Sequence, residues 1–348
     1  MEQTALPSKT KQKKMGSSTI VFPSKPQCAS VASVVGPFEG KGPLGSLFDK
    51  VADDDLLGKK SWEQAEQQFL QDACKLAAAK AGYRMDEIEL VISGDLLNQI
   101  VSSSFASRQL DRPYLGVFSA CASWGEALLL AASLVECGMF DRIMASVCSH
   151  HETAERQYRF PIEFGNQRPM TAQWTVTGAG AAVIETGQGR APCITHATIG
   201  RVVDMGGKNP YDMGSAMAPA AADTLLRHFQ DTDRSPADYD LILTGDLSRV
   251  GHPICRELMA KHGYDMGDHF EDCGILVFDN EKQDVHAGGS GAACCAITFA
   301  SHVYPKLKKG ELSRVLLVPT GALHSTTTFK QGESIPCIAH AIVWEAAE

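Results

Sequence analysis

The sequence predicts an α/β fold of two duplicated halves, each a mixed sheet covered by helices, and three internal echoes predict it. Ile92-Ser93-Gly94-Asp95-Leu96 returns as Leu243-Thr244-Gly245-Asp246-Leu247. Gly138-Met139-Phe140-Asp141-Arg142-Ile143-Met144 returns as Gly310-Glu311-Leu312-Ser313-Arg314-Val315-Leu316. Each of those follows a helix that opens on small residues, Ser119-Ala120-Cys121 in one half and Gly291-Ala292-Ala293 in the other. Gly180 to Glu185 returns as Ala339 to Glu345, a last strand in both halves. Each echo is weak alone, but three in one order are hard to obtain by chance. The expected divisions are a basic tail at 1–16, a first half at 17–190 and a second half at 191–348.

The elements follow in order. The tail carries Lys9, Lys11, Lys13 and Lys14, and no apolar signal region. Residues 17–60 are rich in Gly, Pro and Ser, with a short strand at Thr19 to Phe22 and turn chemistry at Gly42-Pro43-Leu44-Gly45. Ser61-Trp62-Glu63-Gln64 reads as a capping box opening a helix that stops at Gly82. Ile88 to Ser93 is a buried strand, and a helix then runs to about Leu110. A β-type run from Pro113 to Phe118 leads into an apolar helix from Ala122 to about Cys137. Arg142 to Val147 is the next strand. A polar excursion at 150–177 follows, holding His150, His151, Glu152, Glu155, Arg156, Arg159, Glu163 and Arg168, and it returns as the small-residue strand Gly178 to Ile184. The second half repeats the plan with a strand region at Ile194 to Val203 and a helix at about Ala216 to Phe229.

Composition narrows the function classes. With 348 residues, 44% of them hydrophobic, the chain can bury a large core. A net charge of −9 argues against nucleic acid as the main partner. Eleven cysteines, with no C-x-x-C pair among them, suit free thiols better than a disulfide frame, and no zinc pattern emerges. No apolar run is long enough to span a bilayer.

The chemistry centres on Phe118-Ser119-Ala120-Cys121-Ala122-Ser123-Trp124-Gly125. A cysteine at this strand-to-helix junction sits under a helix N-terminus, where unpaired N–H groups favour an anion. Such a thiol can have its pKa lowered and become a nucleophile, or it can be a small buried residue filling a tight turn. In a duplicated α/β fold a ligand lies at the strand ends where equivalent helix N-termini approach, and Cys121 falls at that place.

A duplicated chain with an elbow cysteine in its first half resembles the thiolase and β-ketoacyl synthase superfamily. More closely, it resembles the stage V sporulation protein AD family of endospore-forming bacteria. The segments carrying the resemblance include Gly94-Asp95-Leu96-Leu97-Asn98-Gln99, Thr153-Ala154-Glu155-Arg156-Gln157 and Asp212-Met213-Gly214-Ser215-Ala216-Met217-Ala218-Pro219. Asp240 to Ser248 and Glu333 to His340 complete a match over roughly 36–345. The resemblance implies a thiolase-like fold and a pocket that binds dipicolinic acid while the developing spore takes up its calcium–dipicolinate store. It implies membrane proteins of the same sporulation operon as partners and a location at the inner membrane of the forespore or spore. It implies no resident cofactor or metal site, with Ca²⁺ arriving on the ligand, and a homodimer as the habit of the fold.

Departures from the condensing enzymes point the same way. Those enzymes pair the cysteine with two polar side chains, His and Asn or two His, that stabilise an oxyanion and manage protons. Here Asp246 stands where the first His is expected and Gly289 where the Asn is expected. Gly251-His252-Pro253 matches a thiolase motif but follows the wrong strand. The binding reading therefore takes Cys121, Asp246, Gly289, Ser290, His151, Arg156, Ser334 and Cys337 as ligand contacts, with no confirmed catalytic residue. The Gly288–Gly291 backbone would offer N–H donors to one carboxylate of dipicolinate, and a cation from His150, His151, Arg156 and Arg159 would meet the other. Asp246 would accept an N–H, carry a proton, touch ligand-borne Ca²⁺ or simply cap the following helix. His286 and His324 are further candidates to face the pocket. The alternative reading is an acyl-transfer or condensing enzyme with Cys121 as its acyl-accepting nucleophile.

Overall fold

A computed structural model describes residues 13–159, 167–187, 189 and 191–347. Ten strands form the body of one twisted sheet. In the first half these are β1 (Gln27–Val35), β2 (Leu90–Gly94), β3 (Tyr114–Gly116), β4 (Arg142–Ser149) and β5 (Gly178–Glu185). In the second they are β6 (Cys193–Thr198), β7 (Leu241–Thr244), β8 (Phe270–Asp272), β9 (Arg314–Val318) and β10 (Ala341–Glu345). The spatial order is β8-β7-β9-β10-β6-β1-β5-β4-β2-β3, so each half has the same order running outward from the middle. In each half the second strand is parallel to the third and fourth, and the fifth is antiparallel to its neighbours. The halves meet where Cys193 of β6 pairs with Gln27 of β1. The duplication expected from three short echoes is thus present strand by strand.

The helices repeat as well: α1 (Trp62–Lys80), α2 (Val101–Leu110), α3 (Ser123–Glu136) and α4 (His151–Tyr158) belong to the first half. The second contributes α5 (Met213–Thr232), α6 (Ser248–Lys261), α7 (Cys273–Leu276) and α8 (Ala292–Thr298). Helices α3 and α8 lie in the middle of the molecule, within one apolar core shared by both halves. The small residues that open α8 explain its close seat on the sheet: a Cβ at Gly180 of β5 would stand 2.5 Å from that of Ala296. Ser61 caps α1 by accepting from the Gln64 N–H at 3.4 Å, but Gln64 returns its side chain to Lys60 rather than to Ser61. Gly138 and Gly310, paired in the sequence echo, both end helices at positive φ, 68° and 73°.

One sequence expectation shifts here. The tail read as 1–16 is docked from residue 13 onward, since Lys14–Met15 pairs antiparallel with Thr19–Ile20 and Lys13 reaches Glu136 at 3.2 Å. Its earlier lysines lie outside the described residues, as does Glu163. All eleven cysteines are free. No described helix is long and apolar enough to cross a membrane.

Candidate functional site

Strand β3 runs into a sharp turn, Ala120–Ala122, that leads directly into α3. Ala120 sits at φ 52°, an uncommon conformation for a residue with a Cβ, and this elbow presents Cys121 to a cavity. The opposite wall is Thr320–Ala322, a short strand that presses on the elbow so closely that a Cβ at Gly321 would come 2.1 Å from the Ser119 carbonyl oxygen. The cavity encloses about 450 Å³ including its mouth. Leu96, Ala120, Ala154, Met213, Met217 and Ala322 give it apolar walls, and Cys121, Tyr158, Arg159, Thr175, Ser290 and His324 supply the polar groups.

The polar groups fall into two sets. On the floor, the Cys121 sulfur lies 4.0 Å from the Ser290 hydroxyl, which donates to Asp246 Oδ2 at 3.0 Å. Gly291 N–H donates to the same oxygen at 3.0 Å, and the Thr320 hydroxyl donates to Oδ1 at 2.7 Å. Asp246 is 1% exposed, and burial raises its pKa against the pull of these donors. Burial also pushes the Cys121 thiol well above its ordinary value, and the Asp246 carboxylate pushes it further. Of the two readings of this thiol, the buried residue is favoured over the lowered pKa: the cost of placing a thiolate beside a buried carboxylate outweighs the helix N-terminus.

On the rim, α4 brings Tyr158 and Arg159 to the cavity. Arg159 Nη1 pairs with Glu155 one turn earlier and Nε donates to the Pro210 carbonyl at 3.4 Å. Among the described residues, Nη2 has no further partner. Both ring nitrogens of His324 are buried without a hydrogen-bond partner among the described residues, beside Tyr158 and Phe329. Burial first, and Arg159 second, lower the His324 pKa, so its imidazole is neutral and can offer one N–H. No group of three or more His, Cys, Asp or Glu side chains gathers around a metal position among the described residues.

A family model described as Stage V sporulation protein AD matches residues 16–345. The chain belongs to the stage V sporulation protein AD family. It is 48% identical to stage V sporulation protein AD of Bacillus subtilis (strain 168) over 332 residues, 95% of this chain and 98% of that protein. Among solved structures it is similar to 3-oxoacyl-[acyl-carrier-protein] synthase III from Aquifex aeolicus VF5, at 13% identity and a TM-score of 0.55, covering 92% of this chain and 99% of that one. It is also similar to OleA of Xanthomonas campestris, at 17% identity and a TM-score of 0.60, covering 93% and 97%. At such identities these establish the fold alone, which is thiolase-like. The family is a sporulation family carrying that fold.

Of the residues singled out for a site in this family member, the structure brings Cys121, Ser290 and Asp246 together on the floor and Arg159 and His324 to the rim, and it disperses the others. Gly289 points away from the cavity: a Cβ there would stand 2.5 Å from Val277 Cγ1, so the strand alternation turns Ser290 inward instead. The Gly288–Gly291 backbone is not free for a ligand, since Gly288 N–H donates to the Val285 carbonyl and Gly291 N–H to Asp246. His151 is not a cavity cation, because it stacks on Trp174 at 3.5 Å and burial keeps it neutral. Arg156 lies outside, paired with Glu63 and over the Trp62 ring. Ser334 is half-buried outside the cavity lining, donating to Asp204. Cys337 is core, donating weakly to the Ile335 carbonyl, with its thiol pushed up to about 12 by burial.

Asp246 is not the cap of α6. Asp272, at the end of β8, accepts from Leu247 N–H at 2.8 Å and Ser248 N–H at 2.9 Å and does that work instead. Trp124, two residues into α3, is fully in the core and does not line the cavity. His286 bonds the Pro169 carbonyl away from the cavity, and His252 stacks on Phe270. Sequence reasoning missed Tyr158, Thr320 and the methionines of α5. Only the Asp212-Met213-Gly214 helix start carried a signal for the last of these, and nothing local marked the others.

Proposed function

We propose that this chain binds dipicolinate in the Cys121 cavity and serves its accumulation in the developing spore. The observation that carries the reading is the division of the cavity: a floor whose Asp246 carboxyl is occupied by Ser290, Gly291 and Thr320, and a rim where Arg159 and the unpartnered His324 imidazole line the space beside apolar walls. A flat dianion fits that division, with one carboxylate on the guanidinium and the ring between Met213, Met217 and the Cys121 elbow. The floor supports binding over acyl transfer. Its cysteine is held as a thiol, and its carboxylate is consumed by Ser290, Gly291 and Thr320, so neither oxyanion donor nor base is arranged as condensing chemistry needs.

Membrane proteins of the same sporulation operon are the proposed partners, at the inner membrane of the forespore. A second copy is the proposed occupant of the sheet edge at β3, where Leu115 and the following Phe118 stand exposed. Titration calorimetry of the purified protein with dipicolinate, with and without calcium, tests the binding reading, with acetyl-coenzyme A as control. Saturable dipicolinate binding without thioester turnover is the expected result. Acylation of Cys121 with no dipicolinate binding would return the chain to the enzymes.

A further inference from the structure

Away from the cavity, the carboxylates of the buried Glu39 and the half-buried Asp55 converge beside Gly36. Glu39, fully buried, accepts the Thr177 N–H at 2.9 Å through Oε1 and leaves Oε2 without a partner among the described residues. Asp55 likewise holds Oδ1 buried and unpartnered. Both orphan oxygens lie over the bare face of Gly36: a Cβ there would stand 2.7 Å from Asp55 Oδ1 and 2.8 Å from Glu39 Oε2. Glycine at this position is what lets the two oxygens converge.

Two unpaired carboxylate oxygens sharing a dry space are costly unless a cation or a proton joins them. The surroundings are acidic. Asp54 and Glu152 add negative charge near Asp55, against Lys41 and a His150 that burial keeps neutral. The open donors are oxygens, since both ring nitrogens of His150 are taken up by the Asp55 carbonyl and the Glu152 N–H.

We propose that Glu39 and Asp55 form a site for a hard divalent cation of calcium's size, closed by Gly36 beneath and completed by water and backbone oxygens. The elements it joins are specific. Gly36 follows β1 and donates to the Thr177 carbonyl, Thr177 precedes β5, and the Thr177 hydroxyl accepts the His151 N–H at 3.0 Å at the start of α4. His150, the cap of α4, bonds the Asp55 carbonyl at 2.9 Å. An ion here would brace the loop 36–55 against the helix whose far end carries Tyr158 and Arg159. The proposal does not depend on what the cavity binds.

The test is calorimetric titration of the full chain, free of dipicolinate, with calcium chloride and separately with magnesium chloride, alongside thermal melts. One saturable calcium site with a melting temperature that rises with calcium is expected, and weaker magnesium binding, since magnesium demands shorter distances and tighter geometry. Glu39→Gln keeps the volume and the Thr177 bond, and it should lower calcium affinity at least tenfold. Asp55→Asn should do the same, and Gly36→Ala should abolish binding by filling the gap. Absence of saturable calcium binding in the wild type overturns the proposal and leaves a shared proton between the two carboxyls. Calcium affinity unchanged in both Glu39→Gln and Asp55→Asn overturns it too, placing the ion elsewhere.

Discussion

The two Gly-Asp-Leu turns hold the same place in the two halves, yet their carboxylates do different work. Asp95 accepts from Leu97 N–H at 2.8 Å and Ser103 N–H at 2.7 Å, securing its own following turn and α2. Asp246 makes no such bond and reaches across to Ser290, Gly291 and Thr320 at the cavity floor. The cause lies one strand away. In the first half Ser93 pairs with Gly116, and in the second Thr244 pairs in the same register with Asp272. Asp272 anchors the start of α6, which releases Asp246 for the cavity. Gly116 offers no carboxylate at the equivalent position, and Asp95 secures its own helix. A single position on a neighbouring strand thus decides whether a repeated turn is structural or belongs to the site.

The comparison can be broken most severely at the floor. Cys121→Trp, which fills the cavity between the two halves, should abolish dipicolinate binding in equilibrium dialysis, whereas Cys121→Ser should change affinity by no more than about threefold because the thiol is neutral in either case. Unchanged affinity in the tryptophan variant would remove Cys121 from the site. Next in size, Asp246→Ala strands three donors and should cost about 3 kcal/mol in urea unfolding. Asp95→Ala strands two backbone N–H groups, against three donors for Asp246→Ala, and about 2 kcal/mol is expected. Equal losses would mean that the two turns are interchangeable.

Arg159→Ala should weaken dipicolinate about tenfold, ~1.4 kcal/mol, with stability little changed, while Arg156→Ala should leave affinity as it was. Calorimetry on both variants separates the rim cation from its exposed neighbour. A further test concerns pH. Burial first, and Asp95 second, lift the Glu66 carboxyl from 4.5 to about 8. The folded state therefore keeps a proton that the unfolded chain releases. That contribution is complete below pH 4.5 and is lost as pH rises toward 8, so stability falls across this window. Glu66→Gln should flatten that part of the curve, and a slope identical to the wild type would show Glu66 to be ionised in the fold.

Much of the architecture was legible because it repeats. The Gly138 and Gly310 helix ends, the strand leading to Asp95 or Asp246, and the last strand of each half are local patterns, written in residues a few positions apart. The elbow at Cys121 was legible for the same reason. Ser290 and Asp246 were found beside it, but Arg159 had to be chosen from four cations that the sequence ranks alike. His151 and Arg156 stand eight and three residues from Arg159, and the helix that separates them turns one onto Trp174 and the other toward Glu63.

By itself the sequence determined the duplicated α/β plan, the family and the cysteine at a helix start, since periodicity, turn chemistry and segment order are properties of neighbouring residues. Tertiary structure alone decided that Asp272 rather than Asp246 anchors α6, that Gly289 faces the core while Ser290 faces the cavity, and that Thr320 joins the floor from a strand seventy-four positions beyond Asp246. Those outcomes depend on register between strands and on which buried donors find an acceptor, and burial sets their energies only once the chain has packed.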